Sequence, residues 1–365
     1  LEYMISTKIK SLMNIDKKTV GIMHLTSAEP PKTENLTSQL NQHYNFRAVD
    51  PLNDIPGNID LLLITGAVDT VDTVAISNIE NFLSTGKKIL ITQSGVSTDI
   101  QTQQATPIES NIFDLLKKYR LELQKNLVLD SKCGNVQVQQ AVGLFRMNRQ
   151  VQYPFFPVVD SFNKSDSASG FIVEGLEQLL PLFPSEIKID TIPNDFVSRV
   201  THLFKSSNNS GLMEGNFMLS PDPQQNPFLK MLGQKGKILG ARSELSSGGE
   251  LMLISDSKFL LDEGGLSIPD NIIFAMNAVD FLAGDKDLIA LRSREISSRP
   301  LDILKLSEEE MSLISQDERD KRKNNIKKRW KYANIILPSL LIIGFGVFRV
   351  RKEKNEAEVL KQIYD

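Results

Sequence analysis

Apolar positions along the chain fall into short runs and helical stripes that alternate. "TVGIMHL" (19–25) is a short apolar run, 37–44 reads as a helix, and "FRAVD" (46–50) predicts a second strand. "DLLLITG" (60–66) is almost uninterrupted apolar sequence ending in glycine, the form of a strand buried on both faces. Val74, Ile76, Ile79, Phe82 and Leu83 then make a helical stripe, and Gly86 stands where a C-terminal cap belongs. "KKILIT" (87–92) is the next strand. Strands and helices alternating at this spacing predict a parallel α/β sheet with right-handed crossovers.

The middle of the chain is less regular. "NIFDLLKKYRLELQKNLVLD" predicts a helix and then a strand ending at Asp130, while "NKSDSASG", "SSNNSG" and "SPDPQQNPF" have loop compositions. Periodicity returns with "GKILGARSE" and "GGELMLISDS", two strands around an "SSGG" turn. A helix over roughly 269–282 follows, carrying Ile272, Ile273, Met276, Val279 and Phe281 toward a core. The expected fold class is α/β, a mostly parallel sheet flanked by helices, flavodoxin-like or amidotransferase-like. That body spans 17–295, with a large insertion at about 98–235. Residues 1–16 are a lead-in, and a chain opening on Leu1 is expected to be part of a longer or processed product.

Past Pro300 the pattern changes. "SEEEMSLISQDERDKRKNNIKKRW" begins with Ser307 and Glu310 at capping-box spacing and predicts a polar helical stalk over 296–329. Residues 330–350 carry charge only at Lys331 and Arg349. A stretch of about 20 apolar residues crosses the roughly 30 Å hydrocarbon core of a bilayer, so a C-terminal transmembrane helix is expected there, with membrane lipid as its partner. Trp330 and Tyr332 suit one interface, Pro338 is tolerable in a membrane helix, and Gly344 and Gly346 offer a smooth patch to another helix. A buried core helix is the alternative, but basic residues bracket the stretch and only a charged tail, 351–365, follows. Basic residues are denser before the span than after it, so charge bias alone would keep the body cytoplasmic.

Composition narrows the chemistry. With 365 residues, 41% hydrophobic, 24% charged and a net charge of −3, the chain can bury a substantial core and shows no general nucleic-acid footprint. Its single cysteine, Cys133, excludes an internal disulfide and a cysteine-rich metal site. Ser94, after "ILITQSG", lacks the glycine two residues earlier that a nucleophile elbow requires. Cys133 in "DSKCGN" has no histidine nearby in sequence, and His24, His43 and His202 do not stand at metal-ligand spacing. "GQKGKILG" leads into a strand instead of a helix, and no G-x-G-x-x-G follows the first strand, so no nucleotide cofactor is expected. Asp256 and Asp262, in "SDSKFLLDEG", are the most site-like acidic pair; the competing reading is that Asp256 caps the turn after its strand.

The segment from "LMLISDSKFLLDEGG" through "NAVDFLAGDKDLIALRSREISSRPL" resembles the closing part of auxiliary proteins of ABC-type transport systems, whose best-known branch is associated with gliding motility. The resemblance rests on Asp256, Phe259, Asn271, Asn277 and Arg292, followed by a polar stalk and a proline-containing terminal span. "IDLLLITG", "IENFLSTGKKILI", "NLVLD" and "YPFFP" fall upstream in the family's order, so it covers roughly 16–350. It implies an extracytoplasmic α/β body held on the cytoplasmic membrane, with the short tail cytoplasmic. The implied partners are an ABC permease and its separate ATPase. It carries over no catalytic residue, and a non-enzymatic role is expected. A membrane-tethered hydrolase or amidotransferase-like enzyme and a ligand-binding receptor are the alternatives.

Overall fold

In the computed structural model the described residues are 17–25, 31–100, 102–142, 145–221 and 226–285, with Ile289 and part of 325–354. In chain order the body contains β1 (Thr19–His24), α1 (Glu34–Leu40), β2 (Asn45–Val49), β3 (Leu61–Thr65), α2 (Thr73–Ser84) and β4 (Lys88–Thr92). Then come β5 (Val96–Asp99), β6 (Gln104–Pro107), α3 (Ile112–Lys118), β7 (Leu121–Leu123), β8 (Leu127–Asp130), β9 (Cys133–Val142) and β10 (Phe145–Pro157). The rest are β11 (Ser161–Phe162), α4 (Ser167–Ile172), β12 (Ile187–Ile189), β13 (Val197–Lys205), β14 (Ser210–Met213), β15 (Ile238–Leu245), β16 (Glu250–Ile254) and α5 (Pro269–Ala283).

One sheet of eight strands, ordered β11-β13-β15-β16-β4-β3-β1-β2, organises the body. From β2 to β16 every pair is parallel, and β16, β15, β13 and β11 then pair antiparallel. β3 shows why its sequence is continuously apolar. Leu61 and Leu63 pack in one core layer with Leu36 and Leu40 of α1 and with α5, whereas Leu62 and Ile64 pack in the other with Ile79 and Leu83 of α2. Both faces are covered, as parallel sheets require.

Local signals place several boundaries. The side chain of Asp72 accepts from the N–H of Val74 at the start of α2, and Gly86 follows the helix at φ 80°, a conformation costly for any residue with a Cβ. α1 begins at Glu34, earlier than its sequence suggests, because its first turn is capped from a distance. The Asp262 carboxylate accepts from the N–H groups of Glu34 (2.8 Å) and Asn35 (3.0 Å). The segment 98–235 supplies two strands of the main sheet, β11 and β13, as well as four two-stranded ribbons with their neighbours.

The chain divides into two compact units, Leu1–Ile296 and Ser297–Asp365. Among the described residues no helix is long and apolar enough to cross a membrane. The expected stalk at 296–329 lies largely outside the described residues, as do 333–337 and 339–343 of the expected span at 330–350. Within that span Trp330, Tyr332, Pro338, Gly344 and Gly346 are helical and exposed.

Candidate functional site

Open parallel α/β sheets place their sites outside the carboxyl ends of the strands. Here that edge is formed by the residues after β1, β3, β4 and β16, and a strap of chain at 180–186 lies across the last two. β4 ends at Thr92 and leads through Gln93, Ser94 and Gly95 into β5, a strand, so the strand–turn–helix context of a nucleophile elbow is missing. All three of those residues are buried. The Ser94 hydroxyl accepts from the N–H of Ser257 (2.8 Å). Gly95 donates its N–H to the Ser185 hydroxyl of the strap (2.8 Å), and a Cβ at Gly95 would stand 2.0 Å from the Gln124 carbonyl oxygen. Only glycine fits that approach. The amide of Gln93 accepts from the N–H of Ala67 (2.8 Å) and donates to the carbonyls of Ala67 (2.9 Å) and Ser94 (2.8 Å), tying the ends of β3 and β4 together.

Asp256, two residues past β16, is 1% exposed. Its Oδ2 accepts from the N–H of Leu182 in the strap and its Oδ1 from the N–H of Lys258, each at 2.8 Å. Burial pushes this carboxyl up to about 7; the two backbone donors and Lys258 oppose that rise without cancelling it. Asn271 in α5 clamps the same segment one step earlier. Its Oδ1 accepts from the Leu180 N–H and its Nδ2 donates to the Leu180 carbonyl, each at 3.0 Å. Asn277, further along α5, donates to the carbonyls of Ile172 (3.2 Å) and Glu174 (3.1 Å). Phe259 packs edge-on against Phe274 with ring centres 5.6 Å apart. Asp256, Asn271 and Asn277 therefore share one task, holding the chain at 172–182 against β16 and α5. Arg292 lies outside the described residues.

The strap itself is fixed at both ends. Ser185 N–H donates to the Ser255 carbonyl (3.1 Å), and the Val128 N–H donates to the Pro184 carbonyl (2.8 Å). Phe183 adopts φ 51° while almost fully buried, a conformation that costs a residue with a side chain of order 1–3 kcal/mol and persists only under strong packing. Its ring is held among Tyr153, Phe155 and Phe156 at 5.1–5.9 Å between centres.

The other residues singled out in the sequence are likewise placed. Asp262 is the remote cap of α1 and does not meet Asp256 in a shared site. Burial raises the Cys133 thiol to about 11, the reverse of the shift that activates a nucleophile. His24 Nδ1 lies 2.7 Å from the Thr65 hydroxyl, and burial lowers its basicity. Among the described residues no cluster of His, Cys, Asp or Glu could hold a metal ion.

Strand alternation gave no sign of a charged cluster beneath α4 and α5. Arg242 on β15 is 2% exposed and donates to Glu250 (2.8 Å), Glu244 (2.7 Å) and Asp166 (3.1 Å). Burial alone would raise Asp166; hydrogen bonds from Ser169 and the charge of Arg242 overcome it and hold that carboxyl at about 2. A second tie joins the end of α5 to the first strands. Tyr44 donates to Asp280 (2.7 Å) and Asp285 (3.1 Å), and Lys18 donates to the Ala283 carbonyl.

A family described as ABC-type uncharacterized transport system matches residues 17–272. A Borreliella burgdorferi protein, named only as uncharacterized, is 21% identical over 97% of this chain and 69% of its own length. Among solved structures, the mmIFT52 N-terminal domain is similar at a TM-score of 0.47 with 12% identity, covering 72% of this chain and 97% of its own. A glutamine amidotransferase from Thermotoga maritima is similar at 0.33 with 11% identity, covering 77% of this chain and 100% of its own.

Proposed function

The chain belongs to the ABC-type uncharacterized transport system family, and from that premise we propose that it is a non-catalytic, membrane-anchored auxiliary subunit of such a system. Its body binds a partner or cargo outside the cytoplasm, and hydrolysis energy comes from a separate ATPase. One observation carries the non-catalytic reading: the carboxyl edge of the sheet at β4 and β16 is closed by the strap. The groups there that could do chemistry, Ser94, Asp256 and Gln93, are engaged by backbone partners.

A subunit without chemistry of its own acts by differential binding, favouring one permease state over another. The 330–350 stretch is the proposed contact. A Cβ added at Gly344 or Gly346 would meet nothing within 4 Å, which leaves both free for a neighbouring helix. In detergent, the full chain is expected to co-purify with a permease, and a Gly344→Leu/Gly346→Leu double variant to lose it, while a Cys133→Ala control retains it. Unchanged co-purification of the glycine variant would remove that contact. Loss of transport in the Cys133→Ala control, with the complex intact, would favour an enzyme. The finer assignment to a gliding-motility system is tested by surface spreading of a strain lacking the chain.

The extracytoplasmic placement follows the family against the charge bias, and one cysteine decides it. Asn208 is exposed in a turn. Asn208→Cys in a Cys133→Ala background should react with an impermeant maleimide in intact spheroplasts; reaction only after lysis would place the body in the cytoplasm.

A further inference from the structure

The connection from β2 to β3 runs beside α2 without closing onto it. Pro51 and Pro56 disfavour a helix in this connection, and it is pinned to the body at two places. Asn78 of α2 donates from Nδ2 to the carbonyls of Pro51 (3.0 Å) and Asn53 (2.9 Å). Lys87, just past α2, donates to the Gly57 carbonyl (3.3 Å). Between these pins a cavity of about 210 Å³ stays open, with Asp54, Ile55, Asn78, Asn81 and Phe82 in its lining. The three α2 residues stand at i, i+3 and i+4, so they share one face of the helix.

What the cavity leaves uncommitted is mainly accepting capacity. The Asp54 carboxylate is exposed and takes no hydrogen bond or ion pair among the described residues. Asn78 is 8% exposed; its Nδ2 is held by two carbonyls, and its Oδ1 takes no donor among the described residues. The α2 helix ends here with no basic side chain in its last turn, so the negative end of its dipole has no cation of its own there. Lys87 also lines the cavity, but the Gly57 carbonyl and Asp60 (3.7 Å) engage its ammonium. Phe82 and Ile55 supply the apolar surface. The volume is below the roughly 300–1,000 Å³ of pockets that enclose a drug-sized ligand, so it suits a group the size of one side chain.

We propose that this cavity binds an alkylguanidinium group, either of a small molecule or of an arginine side chain. A guanidinium carries N–H donors and no acceptor, which matches a carboxylate beside an amide oxygen. Its planar fork pairs in two parallel bonds with the Asp54 carboxylate, while its aliphatic stem and flat face rest on Ile55 and Phe82. An alkylammonium brings the same charge without the fork. A carboxylate or phosphate would meet Asp54 with no uncommitted cation to offset it. The site needs neither the membrane anchor nor the permease contact, so it and the proposed function fail separately.

The test titrates the full chain in detergent with butylguanidinium and with N-acetyl-arginine amide by calorimetry, and follows hydrogen exchange with each probe bound. Binding should saturate and slow exchange at 53–57 and 78–87, while 180–186 is unchanged. N-acetyl-citrulline amide, a neutral isostere, should bind at least roughly tenfold more weakly, and Asp54→Asn should cost the arginine probe as much. Asn81→Asp adds a second carboxylate to the same wall and should tighten binding severalfold, a gain that an unfolded variant could not show. Raised salt should weaken binding. Binding of butylguanidinium alone upholds the site and assigns it to a small molecule; binding of the capped arginine upholds it as a seat for a partner's side chain. Citrulline binding equal to arginine, affinity unchanged by Asp54→Asn, protection confined to other segments, or no binding of either guanidinium probe overturns the proposal.

Discussion

Burial holds the Asp256 carboxyl near 7 although two backbone N–H groups donate to it, and this has a consequence for stability. In the unfolded chain an aspartate ionises near 3.9. Between about pH 4 and pH 7 the folded state therefore binds a proton that the unfolded state has lost, so stability falls as pH rises through that window. The loss is on the order of a few kcal/mol at one unit per 1.4 kcal/mol. Asp256→Asn should flatten this limb, which denaturant midpoints at pH 4, 5.5 and 7 would measure. Equal slopes in both proteins would show that the carboxyl titrates normally. The sequence identified Asp256 as either a turn cap or a catalytic acid, and the Lys258 bond bears out the cap. It could not identify the Leu182 bond, because that partner is 74 positions away. Gln93 and Arg242 were missed for a related reason: alternation marks which positions face inward, but carries no sign that a polar or charged side chain there has found partners.

At the scale of elements, local patterns were legible and distant ties were not. β1 to β4 and their helices follow one another in sequence, so apolar runs and cap residues sufficed to find them. α1 was misplaced at its start because its cap, Asp262, comes from the far end of the body. The strap at 180–186 has no periodicity; its course is set by Asn271, Asp256 and Ser255. Asn271→Ala should leave the N–H and carbonyl of Leu180 without these partners, at about 1–3 kcal/mol for a buried group left unsatisfied. Hydrogen exchange should rise first at 180–186, while α2 stays protected. Uniform loss of protection across the body would instead mean that Asn271 supports the global fold and not the strap.

The whole molecule joins a body whose cores close on both faces of one sheet to a C-terminal unit of different composition. The parallel half of that sheet was predictable because each crossover is local. Of the antiparallel half, β15 and β16 were legible around their short turn, but β13 and β11 were not, because β13 reaches β15 over a long connection that reads as an irregular insertion. The periodic apolar sequence of the body is complete by α5, whose end is fixed by Tyr44, Lys18 and Asp285. The division into units at Ile296 places the remaining apolar stretch in the second unit. A chain ending at Ile296 should therefore stay soluble and melt cooperatively at the temperature of the full chain's body. The full chain should partition into the detergent phase in a cloud-point separation, because 330–350 carries exposed Trp330, Phe345 and Phe348 with charge only at Lys331 and Arg349. Aggregation of the shortened chain with loss of its cooperative transition would show that the second unit completes the fold. Recovery of the full chain in the aqueous phase would remove the membrane anchor from the proposed function.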